Sequence, residues 1–260
     1  SFVLIVVSLF AVASCQFEDL GFVENGGDAQ VTLKLGIPED LATRAEDSAV
    51  DHLVYAVYNE ENVLVSDAVS LENVEFQGDT QSVQLTLVKG MTYTVAFWAQ
   101  NSECDAYTVV AGQNGMTVEV DYNGLNNDMT REAFFASETF QVEDNLTVDV
   151  VLHRPFAKIN LGVSTADWNA AKAAGLNITE SKAVIGAAPV TLDILNDTVS
   201  GEAAVTYEFA PVSGNGTEPQ DFVVNEKNCK LLSSCFILAD KDQSVIAGGI
   251  QFTLKSDNDK

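Results

Sequence analysis

Strict alternation of apolar and polar residues is the feature that most constrains how this chain can fold. In residues 29–37 every odd-numbered position is apolar, and every even-numbered position is polar or glycine. Successive side chains of a β-strand point to opposite faces, so this segment presents one face to a core and the other to water. Residues 53–58 are apolar at every position, which predicts a strand buried on both faces.

Similar segments recur along the rest of the chain and predict an all-β protein. Asn-Gly pairs, which favour hairpins because both residues tolerate positive φ, begin at Asn25, Asn114, Asn123 and Asn215, and Lys89-Gly90 predicts a further hairpin. Strands at this spacing predict antiparallel β-sandwiches. The predicted strands are 83–87, 93–98, 146–152, 157–163, 182–185, 190–195, 203–209, 222–224, 235–239 and 249–254.

One short helix is predicted among the strands. Ser164 and Asp167 are spaced as a capping box before residues 168–174, and Gly175 is placed to end the helix. A chain of many strands with one short helix is not a doubly wound or barrel α/β enzyme.

A domain boundary is predicted at Pro155. A strand runs into His153-Arg154-Pro155, and proline has no amide hydrogen to donate to a β-ladder, so pairing is interrupted there. The expected organisation is an N-terminal sandwich in residues 28–155 and a C-terminal sandwich in residues 156–260.

The amino-terminal segment predicts export. Residues 1–13 are an apolar run, shorter than the roughly 20 residues that a membrane-spanning helix needs. The run ends in Val12-Ala13-Ser14-Cys15, which resembles a bacterial lipoprotein box. We therefore expect residues 1–15 to be a lipoprotein signal with Cys15 lipidated, and residues 16–27 to be a tether. The alternative is an ordinary signal peptide with an incidental cysteine.

The chain is also expected to be incomplete at both ends. It starts without an initiator methionine or the basic residues that precede a signal core. Residues 249–254 predict a strand, and because strands need partners, more protein is expected beyond Lys260.

Charge and motif content bear on partners and chemistry. The chain has 13 Lys and Arg against 38 Asp and Glu, a net charge of −25, which disfavours nucleic acid and anionic membranes as partners. The two histidines, His52 and His153, lie outside any His-Glu-x-x-His motif, and neither a Gly-x-Ser-x-Gly elbow nor a glycine-rich phosphate loop occurs. We predict no enzyme activity, no metal and no cofactor.

Three cysteines remain besides Cys15. Without a Cys-x-x-Cys motif, Cys104, Cys229 and Cys235 do not predict a zinc or thioredoxin-type site. Cys229 and Cys235 could form a disulfide across a tight turn, or be buried thiols in strands, and the sequence leaves both open.

The predicted boundary carries a family resemblance. Arg154-Pro155-Phe156-Ala157-Lys158-Ile159 resembles the Arg-Pro-x-Ala-Lys signature of the fimbrillin-like proteins of Bacteroidota, in an uncharacterised subfamily. The resemblance implies two transthyretin-like antiparallel β-sandwich domains, with the short helix in the second. It also implies a lipoprotein carried to the outer membrane, at the cell surface.

The resemblance further implies assembly by strand exchange. In polymerising members a protease cuts after an arginine in the early loop, the first strand leaves, and a strand of another subunit fills the groove. The matching residues here are Arg44 for cleavage and Val31, Leu33, Leu35 and Ile37 for the groove. The alternative for Arg44 is an ordinary surface residue in an acidic loop.

The sequence thus predicts a structural or adhesive surface lipoprotein: a fimbrial subunit, anchor or tip protein, with a host or bacterial surface ligand as a further partner. The alternative is a monomeric lipoprotein that binds glycans or peptides through exposed loop aromatics such as Tyr107 or Tyr122. Arg154 is expected to pair with a carboxylate at the domain junction, and Lys158 to face solvent. Trp98 and Trp168 are expected in the core or at the junction.

Overall fold

The computed structural model describes residues 27–37, 50–76, 81–212, 218–239, 246 and 248–257. Within these ranges the fold is all-β, with a single α-helix, α1 (Thr165–Ala173), and a 3-10 helix at Met129–Arg131. The strands are β1 Asp28–Gly36, β2 His52–Asn59, β3 Val69–Glu72, β4 Gln81–Val88, β5 Thr92–Gln100, β6 Tyr107–Gly112, β7 Gly115–Val120, β8 Gly124–Leu125, β9 Ala133–Gln141, β10 Leu146–Val151, β11 Phe156–Ser164, β12 Ile178–Ala188, β13 Thr191–Asp193, β14 Thr198–Ser200, β15 Ala203–Pro211, β16 Asp221–Val224, β17 Lys227–Leu238 and β18 Ile250–Ser256.

Two sheets enclose a first hydrophobic core. The strand order is β10-β1-β4 in one sheet and β3-β2-β5-β9 in the other. Their inward side chains form one cluster that includes Leu33 of β1, Leu85 of β4 and Phe97 of β5. This arrangement is the first β-sandwich.

Two further sheets enclose a second core. Their strand orders are β11-β17-β16 and β18-β12-β15-β8. Phe156, Phe236, Ile185 and Tyr207 lie in the shared cluster, which also takes in Trp98 from the outer face of β5. The two cores therefore lie on opposite faces of β5.

A fifth sheet joins strands from both halves of the chain. Its strand order is β14-β13-β7-β6. β7 precedes the predicted boundary at Pro155 in the sequence, and its partner β13 follows that boundary. The short strand β8 also pairs with β15 of the second half. The predicted division into residues 28–155 and 156–260 stays a prediction, and these hydrogen bonds cross it.

The all-β prediction and the alternation of the first strand are confirmed. Ala29, Val31, Leu33 and Leu35 of β1 are at most 1% exposed, while Gln30 and Lys34 between them are exposed. In β2, residues 55–58 are all buried, as expected for a strand covered on both faces.

The predicted helix is confirmed together with its caps. The Ser164 hydroxyl accepts a hydrogen bond from the Asp167 amide at 3.1 Å, which satisfies one of the free amides of the first turn. Gly175 follows the helix with φ of 79°, a conformation that favours glycine. Nothing in the described part of the chain forms a helix with the length and apolarity to cross a bilayer.

The turn predictions met mixed outcomes. Asn114 lies in the β6–β7 hairpin, as predicted. Lys89-Gly90 is not a hairpin turn, because β4 and β5 belong to opposite sheets, and Gly90 (φ 84°) turns the chain from one layer to the other. After Asn123 the chain enters β8, which pairs in parallel with β15 and forms no hairpin. Asn25 and Asn215 lie outside the described residues.

Candidate strand-exchange site

The first strand is the centre of its sheet. β1 pairs in parallel with β10 and antiparallel with β4, and Leu33 faces Val148 on one side and Val83 on the other. Both sets of its backbone groups therefore lie next to a partner strand. A sheet that loses such a strand is left with two unpaired edges facing each other across a groove.

Alternate side chains of β1 fill the first core. Val31, Leu33 and Leu35 are 0% exposed, and they pack in one cluster with Leu85 of β4 and Val150 of β10. Ile37, the fourth residue of the predicted groove set, lies just beyond the strand and is partly buried against the same cluster. The structure thus brings all four together along one face.

Polar contacts hold both ends of β1. At the start, the Gln30 amide donates to the side-chain oxygen of Asn145 at 2.9 Å, and its side chain donates to Thr86 at 3.0 Å. At the end, the Leu152 amide donates to the Gly36 carbonyl at 2.9 Å. These contacts fix the register of β1, so a replacing strand would have to supply the same apolar pattern in the same register.

The neighbour β10 depends on β1. Among the described strands, β10 forms a ladder with β1 alone, and a single bridge between His153 and Phe135 follows it. Removal of β1 would therefore expose the core and leave β10 without its ladder partner.

The signature residues lie where the two cores meet. The Arg154 guanidinium forms an ion pair with Glu132, whose side chain is 2% exposed, and lies 5.6 Å from the ring centroid of Phe134. The Pro155 carbonyl accepts a hydrogen bond from the Ala239 amide at 3.1 Å. The expected pairing of Arg154 with a carboxylate is confirmed.

The remaining signature residues lie on β11. Ala157 is partly buried against the second core. Lys158 was expected to face solvent, but it is half-buried. Its ammonium lies 5.3 Å from the ring centroid of Phe236. The aromatic face attracts the cation, which explains the difference.

A cleft of about 540 Å³ adjoins the signature. Its lining includes Glu138 of β9, Asp149 and Val151 of β10, and His153 and Arg154. In the described part of the chain, no group of His, Cys, Asp or Glu is arranged to hold a metal ion.

The cysteine geometry corrects the disulfide alternative. Cys229 and Cys235 are free thiols on one continuous strand, β17, so no turn joins them. Six residues of strand span about 20 Å, whereas disulfide Cα atoms lie within about 7 Å. Cys235 is buried, and burial raises the pKa of its thiol to about 12, while Cys229 is only half-buried. The buried-thiol alternative describes Cys235.

A buried polar cluster escaped the sequence analysis. Arg131 is 4% exposed, and its guanidinium donates to the carbonyls of Asp121 and Asn123, both at 2.8 Å. Nearby, the Asn126 side-chain amide donates to the hydroxyls of Ser181 and Ser233, both at 2.7 Å. The cluster ties the segment around β8 to β12 and β17. Isolated Asn and Ser residues in a sequence give no signal for such a long-range network.

The aromatic residues considered in the sequence analysis are buried or half-buried. Trp98 is 0% exposed and Trp168 is 3% exposed, as expected for core or junction residues. Tyr122 is 5% exposed, and its hydroxyl donates to the Pro189 carbonyl at 2.6 Å. The hydroxyl of the half-buried Tyr107 donates to the Arg131 carbonyl. Neither tyrosine forms the exposed loop platform that the ligand-binding alternative requires.

Two predicted positions lie outside the described residues. They are Cys15, the predicted lipidation site, and Arg44, the predicted cleavage site. Both stay predictions.

Comparison with known proteins places this fold. A model of a family of unknown function (DUF6562) matches residues 23–260. No curated protein is significantly similar in sequence.

Solved structures share the architecture at low identity. A candidate adhesin from Bacteroides thetaiotaomicron has a TM-score of 0.55 and 13% identity, over 92% of this chain and 79% of that chain. A candidate polysaccharide-binding protein from the same species has a TM-score of 0.54 and 11% identity, over 88% and 76%. The fimbrial anchor protein Mfa2 from Porphyromonas gingivalis has a TM-score of 0.48 and 14% identity, over 88% and 77%. The two Bacteroides thetaiotaomicron structures thus share the fold of this chain, and the predicted resemblance is confirmed at the level of the fold.

Proposed function

We propose that this chain, which belongs to the family of unknown function DUF6562, is a structural or adhesive protein of the bacterial cell surface. The fold it shares with a candidate adhesin supports the proposal. The net charge of −25 also supports it, since such charge favours solubility and disfavours nucleic acid. The similar structures bear names of binding and adhesion proteins, which supports a non-enzymatic role.

The finer proposal is assembly with other fimbrial subunits by strand addition, as subunit, anchor or tip. The observation that carries it is the position of β1, paired on both sides and fully buried at Val31, Leu33 and Leu35. Main-chain hydrogen bonds would give the incoming strand its affinity, and the alternate pockets would select its side chains.

The sheet fixes the register of the incoming strand. A strand that takes the place of β1 with the same ladders runs parallel to β10 and antiparallel to β4, with apolar residues at the places of Val31, Leu33 and Leu35. One residue out of register, its apolar side chains would face water.

For location we propose a lipid anchor at Cys15 in the outer membrane, which the lipoprotein-type sequence of residues 12–15 supports. The rival role, a monomeric binder of glycans or peptides, has less support. It relied on exposed Tyr107 and Tyr122, and Tyr122 is buried while the Tyr107 hydroxyl is bonded to Arg131.

The test uses the full-length lipoprotein and an arginine-specific protease. Product mass is followed by mass spectrometry and assembly state by native gel. We expect cleavage after Arg44 and then a ladder of oligomers, with Arg44→Gln as the uncut control. A protein that never assembles, whether cut or uncut, would contradict the role of a polymerising subunit and favour an anchor, tip or ligand-binding lipoprotein.

A peptide of residues 28–37 sharpens the same test. Added during cleavage, it should refill the groove and suppress the ladder, because it carries the native pattern. The matched control carries Leu33→Asp and Leu35→Asp and should leave the ladder unchanged. If both peptides act alike, the groove is not the assembly site.

A further inference from the structure

Two edge strands of the first sandwich separate at the signature. β9 ends one sheet and β10 ends the other, and one antiparallel bridge joins them. In it the Phe135 amide donates to the His153 carbonyl, and the His153 amide donates to the Phe135 carbonyl, both at 2.8 Å. Among the described residues no ladder continues from this bridge. The cleft of about 540 Å³ lies where the strands part, between residues 135–138 of β9 and Asp149, Val151 and His153.

Backbone groups of β10 are directed to this open edge. Successive residues of a strand point their amide and carbonyl groups to opposite edges. The Leu152 amide donates to the Gly36 carbonyl, on the side of β1. Asp149, Val151 and His153 have the opposite phase, so their backbone groups are directed away from β1. An edge of this kind can accept a further strand.

The inner face of the opening is apolar. Leu146 and Val148 of β10 and Phe140 of β9 are only partly buried against the first core. A strand added to β10 would place every second side chain beside Leu146 and Val148. Apolar residues fit these inward positions, because they would bury more of that surface.

The outer face of the opening is negatively charged. Asp149 of β10 is exposed, and Glu138 of β9 is half-buried on the opposite wall of the cleft. In the described part of the chain, neither side chain forms an ion pair or a hydrogen bond. The one arginine of the cleft, Arg154, is already paired with Glu132. Cations therefore fit the outward positions of an added strand.

We propose that the cleft between β9 and β10 binds an extended segment of a partner protein, which adds to the outer edge of β10. The segment carries Lys or Arg at its outward positions and apolar residues at its inward positions. The aliphatic stem of an outward Lys or Arg would cover Val151, which is 52% exposed. This site is separate from the place of β1, and β1 stays in the sheet when the segment binds.

Charge argues for a different protein as the partner. Of the chain's own segments outside the described residues, 38–49 hold four acids and one arginine, and 240–245 hold two acids and one lysine. A second copy, with a net charge of −25, would be repelled by the acidic cleft. A sugar finds little support, because Phe135, the phenylalanine of the cleft, is buried and offers no ring face for stacking.

The test uses the uncut Arg44→Gln variant, so that its result does not depend on strand exchange. The probe is a fluorescein-labelled peptide of about nine residues with Lys at odd positions and Val at even positions, and binding is followed by anisotropy. Two control peptides of the same charge are N-methylated, one at every Lys and one at every Val. Only one set of amides can face β10, so one control should bind about 10-fold more weakly and the other should keep its affinity.

A matched pair of protein variants locates the site. Val151 and Val110 are both exposed, at 52% and 47%, and each lies on an edge strand. Val151→Lys should weaken binding about 10-fold, because it places a cation beside the outward Lys residues. Val110→Lys changes the net charge equally and should leave the affinity within about two-fold.

Hydrogen exchange gives a second readout of the place of binding. Saturation with the peptide should slow the exchange of the Asp149 and Val151 amides about 10-fold, because these amides gain acceptors. The amides of Thr108 and Val110, on the edge strand β6, should exchange at an unchanged rate.

Four results would overturn the proposal. Equal affinities of the three peptides would show charge attraction without strand pairing. A peptide with Glu in place of Lys that binds as tightly would remove the role of the carboxylates. Slower exchange at Val110 and not at Val151 would move the site to β6. Slower exchange at Asp149 and Val151 with a soluble glucan, and not with the peptide, would assign the cleft to a sugar.

Discussion

The first strands of the two sandwiches, β1 and β11, have similar patterns and different surroundings. β1 lies between two strands, and Val31, Leu33 and Leu35 are 0% exposed. β11 pairs with β17 alone among the described strands, and its Leu161 is half-buried. An alternating pattern therefore predicts that a segment is a strand, while the number of its partners decides how much core it holds together.

The largest expected effect is the loss of stability when a leucine of β1 is truncated, compared with the same substitution in β11. Leu33→Ala should lower the free energy of unfolding by about 4 kcal/mol, because it opens a cavity in a closed core. Leu161→Ala should lower it by about 1 kcal/mol, since the side chain is already half in water. Urea unfolding of both variants measures the contrast, and equal losses would break the comparison.

The junction between the sandwiches gives the next effect. Arg154→Met leaves the buried Glu132 carboxylate without this cation and should cost about 3 kcal/mol in urea unfolding. The double variant Arg154→Met/Glu132→Leu removes both charges and should recover part of the loss. A single-variant loss below about 1 kcal/mol would place the pair among ordinary exposed ion pairs.

The cap of α1 offers a smaller, local probe of the second sandwich. Ser164→Ala removes the acceptor for the Asp167 amide and should cost about 1 kcal/mol, while Ser164→Asp keeps an acceptor and should cost little. Thermal unfolding followed by fluorescence at the buried tryptophans would measure it. If Ser164→Ala and Ser164→Asp shift the transition equally, the cap is not the cause.

The smallest effect concerns reactivity and not stability. Thiol labelling compares the reaction rates of two cysteines on the same strand, β17. At pH 8, a pKa of about 12 leaves a thiolate fraction of about 10⁻⁴ at Cys235, so this thiol should react only when the second sandwich opens. The half-buried Cys229 should react much faster. Mass spectrometry of the labelled Cys229→Ser and Cys235→Ser variants assigns the rates. Equal rates would show that β17 is open along its whole length.

Local patterns predicted much of this fold. The alternation of residues 29–37 placed β1 and its inward face, and Ser164, Asp167 and Gly175 placed the helix, because these signals act between neighbours in sequence. β9 was not predicted, because its continuous apolar run, Ala133 to Ala136, is only four residues long. A run that short does not distinguish a buried strand from a segment of a buried helix.

The pairing of strands distant in sequence could not be predicted. Lys89-Gly90 is compatible with a hairpin turn and with a connection between two sheets. Only the partners of the flanking strands β4 and β5 distinguish the two. The same holds for Arg131 and Asn126, whose partners lie in other strands or loops. At the candidate site, pattern identified the residues of β1, but its central position became clear from the ladders.

The two ladders of β1 also determine how the molecule would bear a mechanical load. Ladder hydrogen bonds run across the strand direction, with those to β4 perpendicular and those to β10 slanted. A pull along the axis of β1, or of a strand that replaced it, loads all of these bonds together in shear. A pull across the sheet opens them one after another. A joint made by such a strand would therefore resist a pull along the strand more strongly than a pull across the sheet.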